Sequence, residues 1–199
     1  MEIEKVILAS QSKPRQRILM MLGIEAALLP TDTDESFEDK LSPEEIVTDI
    51  SRRKAEKAIE IVQSPPTTLI IAADTMVVYN NLIIGKPIDE ADAFNTLSML
   101  SGKSHEVYSG LTLALNNQIA SGYGVTRVKF RNISEEEIKA YINLGEPFTK
   151  AGSYGAESAA AAFIESIEGD FYNIVGLPVN KLVEMLKNIF NITVFDISG

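Results

Sequence analysis

Leu69-Ile70-Ile71-Ala72-Ala73 is the most continuous apolar run in the chain, and it leaves no polar face. Such a run reads as a strand buried in the middle of a sheet. It delivers Asp74 and Thr75 at its C-terminal end, the edge at which open α/β sheets bind ligands. An Asp that merely starts a turn is the weaker reading, because strand-type residues follow it and not Gly, Pro or Asn.

The segments around this run alternate in type. Val6-Ile7-Leu8-Ala9 reads as a strand, and Pro14 to Gly23 as a helix with Pro in its first turn and Gly at its end. Ala26–Leu29 reads as a second strand. Ser42-Pro43-Glu44-Glu45 has the capping-box pattern, and Ile46, Ile50, Ala55, Ala58, Ile59 and Val62 form an apolar stripe behind it. Asn80-Asn81 and Asn116-Asn117 are turns between strand pairs. Asp89 to Leu100, Ser134 to Gly145 and Val179 to Phe190 read as helices; Ala162–Ile167 and Phe171–Val175 read as strands. Ser64-Pro65-Pro66 is a loop. The pattern predicts a mixed α/β sheet flanked by helices, in a single domain over residues 1–199.

Composition narrows the chemistry. Eighteen basic against 28 acidic side chains give a net charge of −10, which repels long polyanions and argues against a nucleic-acid polymer as partner. There is no Cys and one His, His105, so thiolate chemistry and multi-histidine metal sites are excluded. The Val107–Thr126 stretch is uncharged but too rich in Asn, Gly and Ser for a membrane span. Met1 to Lys5 lacks the pattern of a secretory leader, so a cytoplasmic location is expected.

Four constellations could carry chemistry. Ser10-Gln11-Ser12-Lys13-Pro14-Arg15-Gln16-Arg17 places hydroxyls, cations and unpaired amides at a helix start, a recipe for phosphate binding; it also reads as a capped surface helix with solvated cations. Asp32, Asp34 and Glu35 follow a strand and suit Mg²⁺ or Mn²⁺, or else form a solvated acidic turn. Asp74-Thr75 is the third. Lys54, Lys86 and Lys150 are scattered cations that read equally as solvated charges. No phosphate-loop, dinucleotide-turn or nucleophile-elbow motif occurs, and His105 reads as a loop or strand-start residue.

In order along the chain, Leu8-Ala9-Ser10-Gln11-Ser12-Lys13-Pro14-Arg15, Ala73-Asp74-Thr75, Gly85-Lys86-Pro87, Leu100-Ser101-Gly102-Lys103-Ser104-His105-Glu106-Val107, Gly145-Glu146-Pro147, Lys150-Ala151-Gly152-Ser153-Tyr154-Gly155 and Asn173-Ile174-Val175-Gly176-Leu177-Pro178 resemble the Maf-like nucleotide pyrophosphatases. The resemblance covers nearly the whole chain. It implies an elongated mixed α/β fold like that of the inosine triphosphatase group, with two lobes and a cleft, often as a homodimer. It implies a divalent cation and hydrolysis of a nucleoside triphosphate between the α and β phosphates, giving a monophosphate and pyrophosphate.

By motif position Asp74 corresponds to the proton acceptor, and Arg15, Glu35, Lys54 and Lys86 match the family's other charged active-site positions. Glu35 is expected to help hold the metal, with Asp74 as base or instead as a metal ligand. Ser12, Lys13 and Arg15 are expected to contact the substrate, Lys13 supplying a charge that the family pattern places elsewhere. Pro14 stands where the family has an Arg. Thr75 matches the branch acting on dTTP and UTP; Glu157 stands where that branch has Gln and the 7-methyl-GTP branch has Glu. The resemblance points to dTTP and UTP, and to modified nucleotides beside them. A 7-methyl-GTP pyrophosphatase, a non-catalytic nucleotide-binding regulator of cell division and a phosphatase or sugar-phosphate enzyme are the alternatives.

Overall fold

The computed structural model describes residues 3–197 apart from 39, 64 and 65, so Met1, Glu2 and the Ser64-Pro65 part of the expected loop lie outside the described residues. The chain begins β1 (Lys5–Leu8), α1 (Lys13–Met21), β2 (Ala26–Leu28), α2 (Pro43–Val62), β3 (Thr68–Tyr79) and β4 (Leu82–Ile84). It continues α3 (Glu90–Leu100), β5 (Ser104–Leu115), β6 (Gln118–Phe130) and α4 (Glu135–Ile142). It ends with β7 (Ile164–Glu168), α5 (Phe171–Val175) and α6 (Val179–Phe190). Among the described residues no helix is long and apolar enough to cross a membrane.

The strands form a seven-stranded sheet in the order β2-β1-β3-β5-β6-β7, with β4 paired to β3. β1 is parallel to β2 and β3, whereas β3 with β4 and β6 with β7 are antiparallel. The sheet is therefore mixed, as the alternation of elements predicts. Local chemistry sets its corners. Ser42 and Glu45 exchange side-chain and backbone bonds of 2.8 and 3.4 Å at the start of α2. Asn80-Asn81 and Asn116-Asn117 take the two consecutive positive φ angles of a primed hairpin turn, 49° and 63° and 50° and 62°.

Two expected strands differ. Phe171–Val175 is a short helix and not a strand. Its Asn173 amide is fully buried and donates to the Val107 carbonyl at 2.9 Å and the Thr126 hydroxyl at 3.2 Å, contacts that the local apolar pattern does not reveal. β7 starts at Ile164 and not Ala162, because Ala159–Phe163 is wound into 3₁₀ turns.

The chain divides into two compact units: Met1–Asp74, Ser109–Gly124 and Gly176–Gly199 form the first, Thr75–Tyr108 and Val125–Val175 the second. In the first, Ile7, Ile70 and Ala72 of the sheet pack with Ala55 and Ala58 of α2. Gly110 lets α2 approach β5 closely, since a Cβ there would collide with the Val47 carbonyl. Beside that contact the Ser51, Thr112 and Ser121 hydroxyls form a chain with two 2.9 Å links. The second unit has an aromatic core in which Phe130 stacks edge-on with His105, Tyr154 and Phe163.

Candidate active site

Helical spacing puts Ile46, Ile50, Lys54 and Ala58 on one line of α2, so Lys54 sits within the apolar stripe. Its residue is only 8% exposed. A buried ammonium needs partners, and the Lys54 Nζ has two: Asp74 Oδ1 at 2.7 Å and Glu35 Oε1 at 2.6 Å. Asp74 is held by β3, but inside it and not at its C-terminal end as the apolar run predicts, because the strand continues to Tyr79 in order to pair with β4. Glu35 comes from a stretch without regular secondary structure, and its side chain is 59% exposed.

The neighbouring acidic residues have other work. Asp34 accepts from the Ser36 amide at 2.9 Å and the Ser36 hydroxyl at 2.7 Å, and these bonds, the side-chain one foremost, hold its carboxyl below the ordinary range. The loop is thus partly the acidic turn of the plainer reading. Among the described residues no group of three or more His, Asp or Glu is placed to hold a metal.

At the start of α1, Ser12 caps the helix by accepting from the Arg15 amide at 3.4 Å, and Pro14 is accommodated in the first turn. The Ser10 hydroxyl accepts from the Ser12 amide at 3.1 Å and from Arg15 Nη1 at 3.2 Å. Arg15 Nε donates to the Gly176 carbonyl at 2.7 Å. Burial draws the Arg15 guanidinium below its ordinary range, while the Asp74 and Glu35 carboxylates pull it back up. Arg15, Lys54, Glu35 and Asp74 thus form one group, with two cations set against two carboxylates. Lys13 is exposed in the first turn of α1.

The remaining sequence candidates belong to the second unit. Thr75 follows Asp74 on β3 and is half-buried. Lys86 is exposed on the loop between β4 and α3, and that loop is tied to the Gly-rich segment by the Gly152 amide donating to the Gly85 carbonyl at 3.0 Å. Glu157 pairs with Lys150 at 2.5 Å. His105 is the second residue of β5, the strand start of the sequence reading and not a loop, and it is buried, bonded through Nε2 to the Tyr154 hydroxyl at 2.7 Å.

Sequence reasoning missed two groups. The Gly176 carbonyl that holds Arg15 lies in the quoted Asn173–Pro178 segment, but a backbone acceptor leaves no trace in residue type. Arg53, beside Lys54, donates to the Asp34 carbonyl and, at 2.9 Å, to the Ser36 carbonyl. Its signal in the sequence was no more than a second cation in Arg52-Arg53-Lys54.

Comparison with known proteins places the chain among relatives. The model of the family described as Maf-like protein matches residues 5–189. A dTTP/UTP pyrophosphatase of Clostridium botulinum is 40% identical over 92% of this chain and 96% of its own length. One of Bacillus cereus is 38% identical over 96% and 98%. Among solved structures, the Ham1 protein of Staphylococcus aureus is similar with a TM-score of 0.40 and 12% identity, over 64% of this chain and 72% of that one.

Proposed function

The chain belongs to the Maf-like protein family, and from that premise we propose that it is a nucleoside triphosphate pyrophosphatase, one functional domain over residues 1–199. Water attacks the α-phosphorus, the bond from that phosphorus to the α–β bridging oxygen breaks, and pyrophosphate leaves with the electron pair. The products are a nucleoside monophosphate and pyrophosphate.

The observation that carries this reading is the Lys54 ammonium held between Asp74 and Glu35. Asp74 accepts a hydrogen bond from the water, orients it, and takes the proton as the new P–O bond forms. Lys54 fixes Asp74, and Arg15, Lys13 and Ser12 neutralise and hold phosphate oxygens as charge moves onto the leaving group.

Mg²⁺ or Mn²⁺ commonly takes one or two protein carboxylates and completes its shell with water and phosphate oxygens. Asp74 and Glu35, one oxygen of each already on the Lys54 ammonium, are the carboxylates that would hold such an ion. When bound, such an ion offsets the phosphate charge and lowers the pKa of water.

For the base, the reading is dTTP and UTP. A carboxylate only accepts hydrogen bonds, so Glu157 alone suits a base N–H. Its partner Lys150 supplies the donor that the carboxylate lacks, and together they offer both halves of a pyrimidine edge. Incubation with dTTP, UTP and 7-methyl-GTP plus Mg²⁺ or Mn²⁺, with separation of products, tests this. The expected outcome is monophosphate and pyrophosphate from the two pyrimidine nucleotides. Preference for 7-methyl-GTP overturns the base assignment, free phosphate as sole product overturns the bond assignment, and binding without product makes the protein a regulator. Asp74→Asn should lower turnover roughly 10²–10⁴-fold with nucleotide binding retained; full activity would sink its role.

A further inference from the structure

Glu35 occupies a stretch, residues 29–38, with no helix or strand to hold it, yet its carboxylate reaches the Lys54 ammonium at 2.6 Å. A largely exposed side chain on an irregular loop has no intrinsic reason to stay there. What holds the backbone on both sides of Glu35 is Arg53: one guanidinium nitrogen donates to the carbonyl of Asp34 and the other, at 2.9 Å, to that of Ser36. Arg53 is itself steadied by Asp49 one turn earlier on α2, at 3.0 Å. Consecutive residues of α2 thus take the two parts of one loop residue, its flanking carbonyls and its carboxylate.

We propose that Arg53 is a positioning residue that seats Glu35 against Lys54 and thereby sets how well this site holds a divalent cation and its nucleotide. The inference deepens the pyrophosphatase reading and rests on it. A planar fork with several donors can bridge two carbonyls, whereas a lysine ammonium is a single point and holds one well. Arg53 acts only through Glu35, so removing it matters only when Glu35 is present.

The test is a double-mutant cycle on Arg53→Ala and Glu35→Gln, with Arg53→Lys as the milder variant. Three quantities are read: kcat and KM for dTTP, Mn²⁺ binding without nucleotide from the free-ion electron paramagnetic resonance signal, and the crystal structure of Arg53→Ala. In the otherwise native chain, Arg53→Ala should weaken Mn²⁺ binding and lower kcat/KM by about tenfold, the range seen when a support behind a metal ligand is removed. In the Glu35→Gln background it should change neither, and Arg53→Lys should fall between. In the Arg53→Ala structure the Glu35 carboxylate should have left Lys54. Equal losses in both backgrounds, or Glu35 still seated on Lys54, would overturn the proposal. A native chain that hydrolyses no triphosphate overturns the pyrophosphatase reading instead, and the position of Glu35 in the Arg53→Ala structure still decides the brace.

Discussion

Lys54 in the first unit and His105 in the second are both nearly inaccessible, at 8% and 2% of full exposure, yet the fold treats them in opposite ways. Lys54 is met by two carboxylates within hydrogen-bond distance. His105 is met by the Tyr154 hydroxyl and by ring edges, and its Nδ1 has no partner. With no counter-charge, burial pushes the imidazole down to about 4, and it raises the Tyr154 phenol above its ordinary range. Both stay neutral at pH 7. In this fold burial alone does not separate the two: what sets Lys54 apart from His105 is the opposite charge brought within reach.

The comparison can be broken most severely at Lys54. Lys54→Met fits the apolar stripe of α2 but leaves Asp74 and Glu35 with no ammonium between them; dTTP turnover should drop about 100-fold or more, the loss typical of deleting one charged stabiliser. Turnover within a few-fold of the native chain would mean that the ion pairs are only structural.

The neutral region makes a prediction of opposite kind. Unfolded His105 takes up a proton near pH 6.5 and folded His105 only near 4, so between those values the unfolded chain binds more protons and stability falls with acidification. That interval corresponds to about 3 kcal/mol. Urea midpoints measured from pH 7 to pH 4 should fall less steeply for His105→Gln than for the native chain. Equal slopes would show that the imidazole is already charged or solvated.

Smaller effects test how the charged region is held. Gly110→Ala drives a methyl group into the Val47 carbonyl and should destabilise the fold by about 2 kcal/mol, read from urea unfolding, with a parallel loss of turnover because α2 carries Lys54. Arg52→Ala, one residue before the brace, removes only the exposed pair with Glu56 and should stay within about 0.5 kcal/mol of native stability.

Much of the fold was legible because local chemistry and tertiary packing agree. The Leu69–Ala73 run is a buried strand, the Ser42–Glu45 box starts α2, and the paired Asn residues turn the hairpins. Phe171–Val175 was misread because a buried amide decides its conformation, and Asn173 finds its partners at Val107 and Thr126, far away in sequence. The grouping of Glu35, Lys54 and Asp74 was implied only by resemblance. Spacing could have shown Lys54 within the stripe of Ile46, Ile50 and Ala58, but not which carboxylates would meet it. Which acid of Asp32, Asp34 and Glu35 faces inward depends on the Ser36 and Arg53 bonds, and these exist only after folding.

The cation in the stripe of α2 also binds two processes together. An otherwise apolar helix face could slide or rock against the sheet with modest loss, but a helix that inserts an ammonium is held in the place where carboxylates receive it. Docking of α2 and completion of the charged group are therefore coupled. Nicking or loosening the loop that carries Glu35 should be felt along the whole helix, and protection of α2 amides from hydrogen exchange is the natural gauge of whether the site is intact.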